Sequence, residues 1–573
     1  MAVALATVTL PASGAAQVSL SPRDSAVQAL ERLAYGATPG QVDRVDREGV
    51  WHWIERQLDP ESIDDRVLAE REHEFALLDY SRDDLAEAFF SVQRKRRELQ
   101  RTMTARGDSL DRRALRRAMG LSGRELRELG GQVSQLVVVR AVVSNRQLEE
   151  VMVDFWTNHF NVYQAKGLDR VLLPAYIEET IRPHVFGRFE DLLVATARDP
   201  AMMFYLDNMQ SVAEGARPPE LDRQLQRVAW ARARTRARAG AGARFRGGLG
   251  VRESRPRDRG MAGYRLARAD SMLRRAESRL PRGLNENYAR ELMELHTLGV
   301  DGGYTQKDVV AVARVLTGWG IDRRGGGIRF RYRDWAHDHG AKSVLGETFP
   351  AGHGEDEGLR LLSLLAHHPA TRRHISTKLC QRFVADGPPA GCVSAAVAAW
   401  EATDGDIREV LRAIFRSPDF WAPANRDSKI KTPLEFAVSA TRALGATPSN
   451  RPGLSHVVAQ LGQPLYHQAA PTGYPETQED WVNSGALLNR MNIALALAGN
   501  RLPGVSVDLA AVAPLTADAG ELIDAVDHNI LAGRMSSRTR SVILEQIAAI
   551  PDPADRRALA VGLALGGPEF KRQ

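Results

Sequence analysis

The sequence predicts a mainly α-helical protein, and three observations support this fold class. Apolar residues recur every three or four positions along most of the 573 residues, which is the period of a helix with one buried face. Helix stop and start signals border these segments, such as Gly36 after the first and Asp406 before a later one. Strand signals are few, and the best is 328–332. We therefore expect a large multi-helix assembly with at most a small β-hairpin and a long Arg-rich loop insertion.

The composition excludes several classes of protein. Apolar residues make up 43% and charged residues 26% of the chain, as in globular proteins that bury a large core. No segment beyond the N-terminus reaches the ~18 apolar residues that a transmembrane helix needs. Two cysteines are too few for a disulfide-rich scaffold or a cysteine-based zinc module.

The chain divides into four predicted parts. Residues 1–17 are a signal sequence or N-terminal tail, and 18–210 form an N-terminal helical region. A basic, partly disordered insertion follows at 211–283, and 284–573 form a C-terminal helical region packed on the first. Helices are predicted in chain order at 25–35, 40–48, 51–58, 85–129, 132–160 (one long helix or two), 174–179, 188–197, 305–317, 358–366, 370–384, 392–402, 407–416 and 433–444.

The N-terminus favours export. Residues 1–17 contain a short apolar run followed by a proline and small residues, as in a signal peptide, although the usual basic residues are missing. We expect a periplasmic or secreted protein, and an apolar tail on a cytoplasmic protein is the alternative. Export would permit a disulfide between Cys380 and Cys392, and two separate buried thiols remain the other interpretation.

The insertion holds most of the basic charge. Residues 211–280 contain 18 Arg, no Lys and seven acidic residues, whereas the whole chain has a net charge of only +6. Segment 232–263 has few large apolar residues, so we predict a flexible loop there, flanked by helical arms at 221–231 and 264–279. The segment could contact anions or nucleic acid. A solvated insertion explains the same composition, and we do not expect nucleic acid as a partner.

The first of three polar motifs lies on a predicted helix. Glu150, Asp154 and Asn158 recur at intervals of four residues, so they form one polar stripe on an otherwise apolar helix. His159 lies beside the stripe. Asp154 is a candidate general acid or base, and His159 is either a metal ligand or a core histidine with satisfied hydrogen bonds.

The second motif lies within 284–299. Asn287, Glu291 and Glu294 fall within an arc of about 60° on a helix. The two carboxylates could hold a divalent metal or act as acid and base. A structural ion-pair network with Arg290 and Arg314 is the alternative.

The third motif follows the predicted hairpin. His337 and Asp338 lie in a short segment with a second His and a second Asp, a set of side chains suited to metal coordination, and Lys342 follows. A polar surface turn is the alternative.

These motifs together suggest a metal-dependent hydrolytic enzyme. A divalent metal would act as Lewis acid or water activator, and a remaining carboxylate would be the general base. The predicted metal ligands are His159, Glu291, Glu294, His337 and Asp338. The acid–base candidates are Glu291, Glu294 and Asp154, and the supporting polar residues are Asn158, Asn287, Arg290 and Lys342. The alternative is a non-catalytic accessory protein that binds an exported partner or a surface polymer.

Several segments resemble one known family. FWTNHF, LNENYARELMELHTLGVDGGYTQKDVVAVARVLTGWG and LGQPLYHQAAPTGYPETQEDWVNSGALLNRMN are similar to motifs of the domain-of-unknown-function 1800 family. A Gly-Trp pair that is usual in its closing motif is here Gly473-Tyr474. The resemblance implies a bacterial, often exported protein with an exported, sulfatase-like partner. It implies no established reaction and no catalytic residues.

Overall fold

The computed structural model describes residues 20–106, 120–244, 267, 271, 274, 283–323 and 327–573. Helices dominate this part of the chain, so the predicted fold class is confirmed. In the N-terminal region the α-helices are Pro22–Leu33, Gln41–Glu48, Val50–Leu58, Arg66–Glu72, Arg82–Arg106, Gly120–Val143, Gln147–His159, Asp169–Ala175, Phe189–Arg198, Pro200–Tyr205 and Pro219–Arg244.

The C-terminal region continues the helical pattern after residue 283. Its α-helices are Glu286–Glu291, Gln306–Val315, Glu355–Ala366, Pro369–Phe383, Ala390–Thr403, Ile407–Arg416, Pro433–Ala443, Leu454–Gln460, Gln478–Trp481, Ser484–Ala498, Ala519–Val526, Ser537–Ala548, Pro553–Leu565 and Pro568–Lys571. Wider π-helical turns occur at Tyr176–Ile181, Leu292–Thr297 and Asp527–Leu531.

Strands in the described residues form three small antiparallel pairs. Trp319–Asp322 pairs with Arg329–Tyr332, which confirms the hairpin predicted at 328–332. The other two pairs are Lys342–Val344 with Glu347–Phe349, and Thr447–Pro448 with Val505–Ser506.

The segment predicted at 132–160 as one helix or two contains two. The first helix ends at Val143, and Asp65 accepts hydrogen bonds from the Ser144 hydroxyl (2.6 Å) and from the Asn145 backbone N–H (2.8 Å). These bonds satisfy polar groups at the break between the helices. The second helix, Gln147–His159, can therefore take a different direction.

The predicted flexible loop at 232–263 is wrong in its first part. A single helix runs from Pro219 to Arg244, so 232–244 is helical. Alanine and arginine are strong helix formers, and a helix can extend on propensity without contributing to a core. Residues 245–263, and most of the predicted arm 264–279, lie outside the described residues.

Apolar residues from both helical regions form one core. Leu30 and Trp156 from the N-terminal region and Leu379 and Phe570 from the C-terminal region belong to the same buried cluster, each at most 2% exposed. The described helices include none that is both long enough and apolar enough to cross a membrane.

The two cysteines are joined. Cys380 and Cys392 form a disulfide with their Cα atoms 6.2 Å apart, so of the two interpretations the structure has the bonded one. The bond connects the helix Pro369–Phe383 to Ala390–Thr403.

Residues distant in sequence meet near residue 430. Lys429 and Gln573 exchange two backbone hydrogen bonds of 3.2 and 3.0 Å, and the Lys431 backbone N–H donates to the Lys571 carbonyl at 2.9 Å. The Lys431 ammonium lies 2.7 Å from Glu31 on the first helix. This site therefore ties the first helix, the centre of the chain and its last residues together.

We expect Glu31→Gln to destabilise the protein by about 3–5 kcal/mol, because Lys431 and Arg534 would be left as neighbouring buried cations. The midpoint of guanidinium unfolding measures the loss. Asp64→Asn is the control, since it breaks the solvent-exposed pair with Arg66 and should change the midpoint little. Equal effects of the two substitutions would contradict a structural role for the buried cluster.

Candidate functional site

The polar stripe of the helix Gln147–His159 faces three different environments. Glu150 accepts two hydrogen bonds from Arg182, at 2.8 and 2.9 Å, and is thus neutralised. Asp154 faces a small cavity. Asn158, at the end of the stripe, binds the backbone of a segment from the C-terminal region.

The cavity beside Asp154 has a volume of about 30 Å³. This is room for one or two water molecules. Segment 463–476, which we name the strap, supplies one wall of the cavity. The lining residues are Asp154, Thr157, Asn158, Asn161, Arg382, Thr432, Gln463, Leu465, Tyr466, Tyr474, Pro475 and Glu476.

Two asparagines hold the strap in place. Asn158 donates to the Tyr474 carbonyl at 2.8 Å and accepts from the Tyr474 backbone N–H at 2.7 Å. Asn161 donates to the carbonyls of Gln468 and Ala470, at 3.0 and 2.8 Å. The FWTNHF motif and the closing motif of the sequence therefore meet at Asp154.

Gly473 makes the closest approach between the strap and the helix. Its φ is +71°, and a Cβ atom at this position would lie 2.3 Å from the Asn158 carbonyl oxygen. Any other residue would push the strap away from the helix. The glycine of the Gly473-Tyr474 pair is thus required by the packing around the cavity.

Tyr466 carries backbone strain beside the cavity. Its φ is +61°, a left-handed conformation that bulky residues rarely adopt. The Tyr466 carbonyl accepts from the Gln164 backbone N–H at 3.0 Å, which helps to hold this conformation. Strained residues cost of order 1–3 kcal/mol and cluster at functional sites.

Burial raises the pKa of Asp154 to about 7. The positive charge of Arg382 opposes this rise, whereas the charges of Glu476 and Glu435 add to it. Among the described residues no protein group donates a hydrogen bond to Asp154, so its oxygens are free to bind water in the cavity. Asp154 is therefore a carboxyl group poised to exchange a proton near neutral pH.

A basic stripe that sequence reasoning missed lies on the helix Pro369–Phe383. His374, Lys378 and Arg382 recur at intervals of four residues, and this spacing was the available signal. Arg382 is buried and hydrogen-bonded to Glu435. Burial lowers the pKa of Lys378, and the charge of Glu476 partly opposes the change.

His159 lies in a buried histidine cluster next to the cavity. One ring nitrogen, Nε2, is 3.3 Å from the His296 carbonyl oxygen, and Nδ1 has no partner among the described residues. Burial first, and then the positive charge of Lys378, lower the pKa of His159 well below its ordinary value. His159 is therefore neutral at physiological pH.

The second predicted motif lies on Glu286–Glu291 and the π-helical turn after it. Glu294 accepts a hydrogen bond from the Tyr304 hydroxyl at 3.2 Å. Burial and the neighbouring charge of Glu294 raise the pKa of Glu291. The backbone N–H of Asn287 donates to the Asn285 side chain, so it belongs to the helix cap.

The predicted ion pairs of Glu291 and Glu294 with the two arginines are wrong. Arg290 donates to Gln306 at 2.9 Å and lies 4.0 Å from Glu286. Arg314 instead binds Asp338 with two hydrogen bonds, of 2.7 and 3.1 Å.

The third motif forms a separate buried cluster. His337 Nδ1 donates to the Thr317 carbonyl at 2.9 Å, and its Nε2 lies 3.5 Å from Glu357. Lys342 lies 2.5 Å from the same carboxylate. The side chains of His337, Lys342 and Glu357 are at most 2% exposed, so the predicted polar surface turn is wrong for this part of the motif.

The five predicted metal ligands do not form one centre. His159 contacts His296, Glu294 contacts Tyr304, and Asp338 is neutralised by Arg314. In the part of the chain that the structure describes, no group of three or more His, Cys, Asp and Glu side chains is placed to hold a metal ion. The arrangement of these residues therefore does not fit the predicted divalent metal.

The protein is thus mainly helical, and a segment of its C-terminal region, the strap, covers the buried carboxyl group of Asp154. The chain belongs to the family described as "Protein of unknown function (DUF1800)", whose model matches residues 28–572. No curated protein and no solved structure matches the chain.

Asp154→Asn should stabilise the protein, and more at pH 8 than at pH 5. The folded-state pKa of about 7 exceeds the ordinary value of 3.8, so the stabilising contribution of the neutral carboxyl group is lost as pH rises from about 4 through 7. Asparagine removes the cost of a buried charge at high pH. We expect a gain of about 1–3 kcal/mol at pH 8, measured by thermal unfolding.

Asp169→Asn is the matched control for this pH dependence. Burial raises the pKa of Asp169 to about 9, and its side chain does not line the cavity. Its stabilising effect should also begin near pH 4 but keep growing up to about pH 9, whereas that of Asp154→Asn levels off near pH 7. A gain from Asp154→Asn that is equal at pH 5 and pH 8 would contradict the raised pKa.

Proposed function

We propose that the protein is an exported hydrolytic enzyme in which Asp154 is the general acid–base group. One observation carries this proposal. A carboxyl group with a pKa of about 7 borders a cavity that has room for water, and no described protein group hydrogen-bonds to it. A general base works best when its pKa lies near the working pH.

The proposed reaction is hydrolysis with water held in the cavity. The Asp154 carboxylate takes a proton from this water, and the water oxygen attacks the electrophilic atom of the substrate. Asp154 then gives the proton to the leaving group as the scissile bond breaks. Arg382 remains paired with Glu435 and provides a fixed positive charge beside the reacting groups.

A larger groove next to the cavity suits the substrate. Its volume is about 400 Å³, and it shares Leu465 with the wall of the cavity. Ligand sites of small molecules typically have volumes of about 300–1,000 Å³. Arg170, His456 and His467 line the groove, so it offers donors to polar substrate groups. Movement of the strap would connect the groove to Asp154.

The disulfide supports the proposal of export. Disulfides persist in the periplasm and outside the cell and are rare in the cytosol. The bond between Cys380 and Cys392 lies in the helix that also carries Lys378 and Arg382. It therefore restrains an element of the proposed site.

The activity test uses a panel of nitrophenyl esters, phosphoesters and glycosides with the purified full chain. We expect turnover of one of these classes and a loss of at least about 100-fold in kcat for Asp154→Asn, the effect of removing a general base. The rate should rise with pH through about 7, because the carboxylate is the active form.

Asp169→Asn is again the control, since it removes a buried carboxyl group outside the cavity and should keep the wild-type rate. Equal rates for Asp154→Asn and the wild type would contradict the proposal that Asp154 is the general acid–base group. That result would favour the non-catalytic accessory protein instead.

A further inference from the structure

The helix Pro219–Arg244 carries a stripe that the cavity chemistry does not use. Arg223, Arg227, Trp230 and Arg234 fall within an arc of about 60° and extend over about 16 Å of the helix axis. All four side chains are exposed, and Trp230 is 65% exposed. We name these four residues the Arg–Trp stripe.

The opposite side of the helix fixes the direction of the stripe. Leu221 is buried at 6% exposure, and Leu225 and Val228 are half-buried. These three residues lie about 140–200° around the helix from Arg223. The apolar side of the helix is therefore the less exposed side, and the Arg–Trp stripe lies on the exposed side.

The charges of the stripe have no acidic partner within the described residues. Arg223 donates only to the Pro219 carbonyl, at 3.3 Å, and Arg234 lies over the Trp230 ring with 5.2 Å from guanidinium to ring centre. Some exposed arginines elsewhere do pair with carboxylates, as Arg66 does with Asp64. Three guanidinium groups on one line that have no carboxylate partner among the described residues favour a partner with repeated negative charges.

The exposed ring of Trp230 indicates which kind of negatively charged partner the stripe binds. Tryptophan concentrates at the membrane–water interface, where its ring lies at the level of the lipid headgroups. Arginines beside it are attracted to anionic lipids. The stripe is straight and lies on a convex helix, so it matches a planar surface better than it matches a single strand of nucleic acid, which proteins bind in grooves.

We propose that the Arg–Trp stripe is a peripheral binding surface for an anionic lipid membrane. The three guanidinium groups contact lipid phosphates, and Trp230 enters the headgroup layer. This surface is independent of the Asp154 cavity. It would hold the protein on a membrane without a transmembrane helix.

The test is sedimentation of the full chain with vesicles of phosphatidylcholine containing about one third phosphatidylglycerol, and with vesicles of phosphatidylcholine alone. We expect binding to the anionic vesicles only, and release at high salt. The variant R223Q/R227Q/R234Q should lose about 100-fold in partition coefficient, since each arginine near an anionic surface contributes about fivefold. Trp230→Ala should lose a smaller factor.

A matched variant controls for net charge. R451Q/R501Q/R538Q removes three exposed arginines elsewhere on the surface and should bind as the wild type does. Glutamine and arginine have similar helix propensity, so circular dichroism should show intact helices in both variants.

Three results would overturn the proposal. They are equal binding of the two vesicle types, unchanged binding of R223Q/R227Q/R234Q, and the absence of vesicle binding. Single-stranded oligo(dT) is included as a probe, and stripe-dependent binding to it without vesicle binding would assign the surface to nucleic acid.

Discussion

The buried ion pair between Arg382 and Glu435 organises the centre of the protein. Both side chains are 5% exposed, and each would be an uncompensated buried charge without the other. The Arg382 guanidinium holds the pKa of Glu435 down at about 2, despite the burial that opposes this. Glu435 also caps its own helix through the Thr432 backbone N–H. One pair thus joins two helices and places a positive charge beside Asp154.

Several features near the pair of Arg382 and Glu435 reduce the stability of the folded protein. Tyr466 is held in a strained conformation, and Gly473 is pressed against the carbonyl of Asn158. Asp154 itself lies in an environment that favours its neutral form. Proteins commonly retain such unfavourable features where activity needs them.

The sequence could predict features that depend on local periodicity. Glu150, Asp154 and Asn158 share one helix face because of their four-residue spacing; Asp154 and Asn158 line the cavity, whereas Glu150 binds Arg182. The partners could not be predicted, because Arg382 and Tyr474 are hundreds of residues away in sequence. Spacing predicts which side chains share a helix face, but tertiary packing decides what that face meets.

The errors have physical causes of the same kind. His337 and Asp338 suggest a metal because imidazole and carboxylate groups occur together, yet His337 Nδ1 binds the Thr317 carbonyl, Glu357 lies 3.5 Å from its Nε2, and Arg314 binds Asp338. Buried polar groups need partners, and a hydrogen-bond network meets that need as well as a metal does. The helix through 232–244 was missed because composition without large apolar residues indicates no core, whereas propensity alone can extend a helix.

The backbone pairing of 429–431 with 571–573 constrains when the protein can fold during synthesis. Residues 571–573 emerge from the ribosome long after 429–431, and until then the backbone groups of Lys429 and Lys431 have no partners of this kind. The ion pair between Glu31 on the first helix and Lys431 likewise cannot form before Lys431 has been synthesised. This part of the core can therefore be completed only after residues 571–573 have been synthesised, however early the helices around it form.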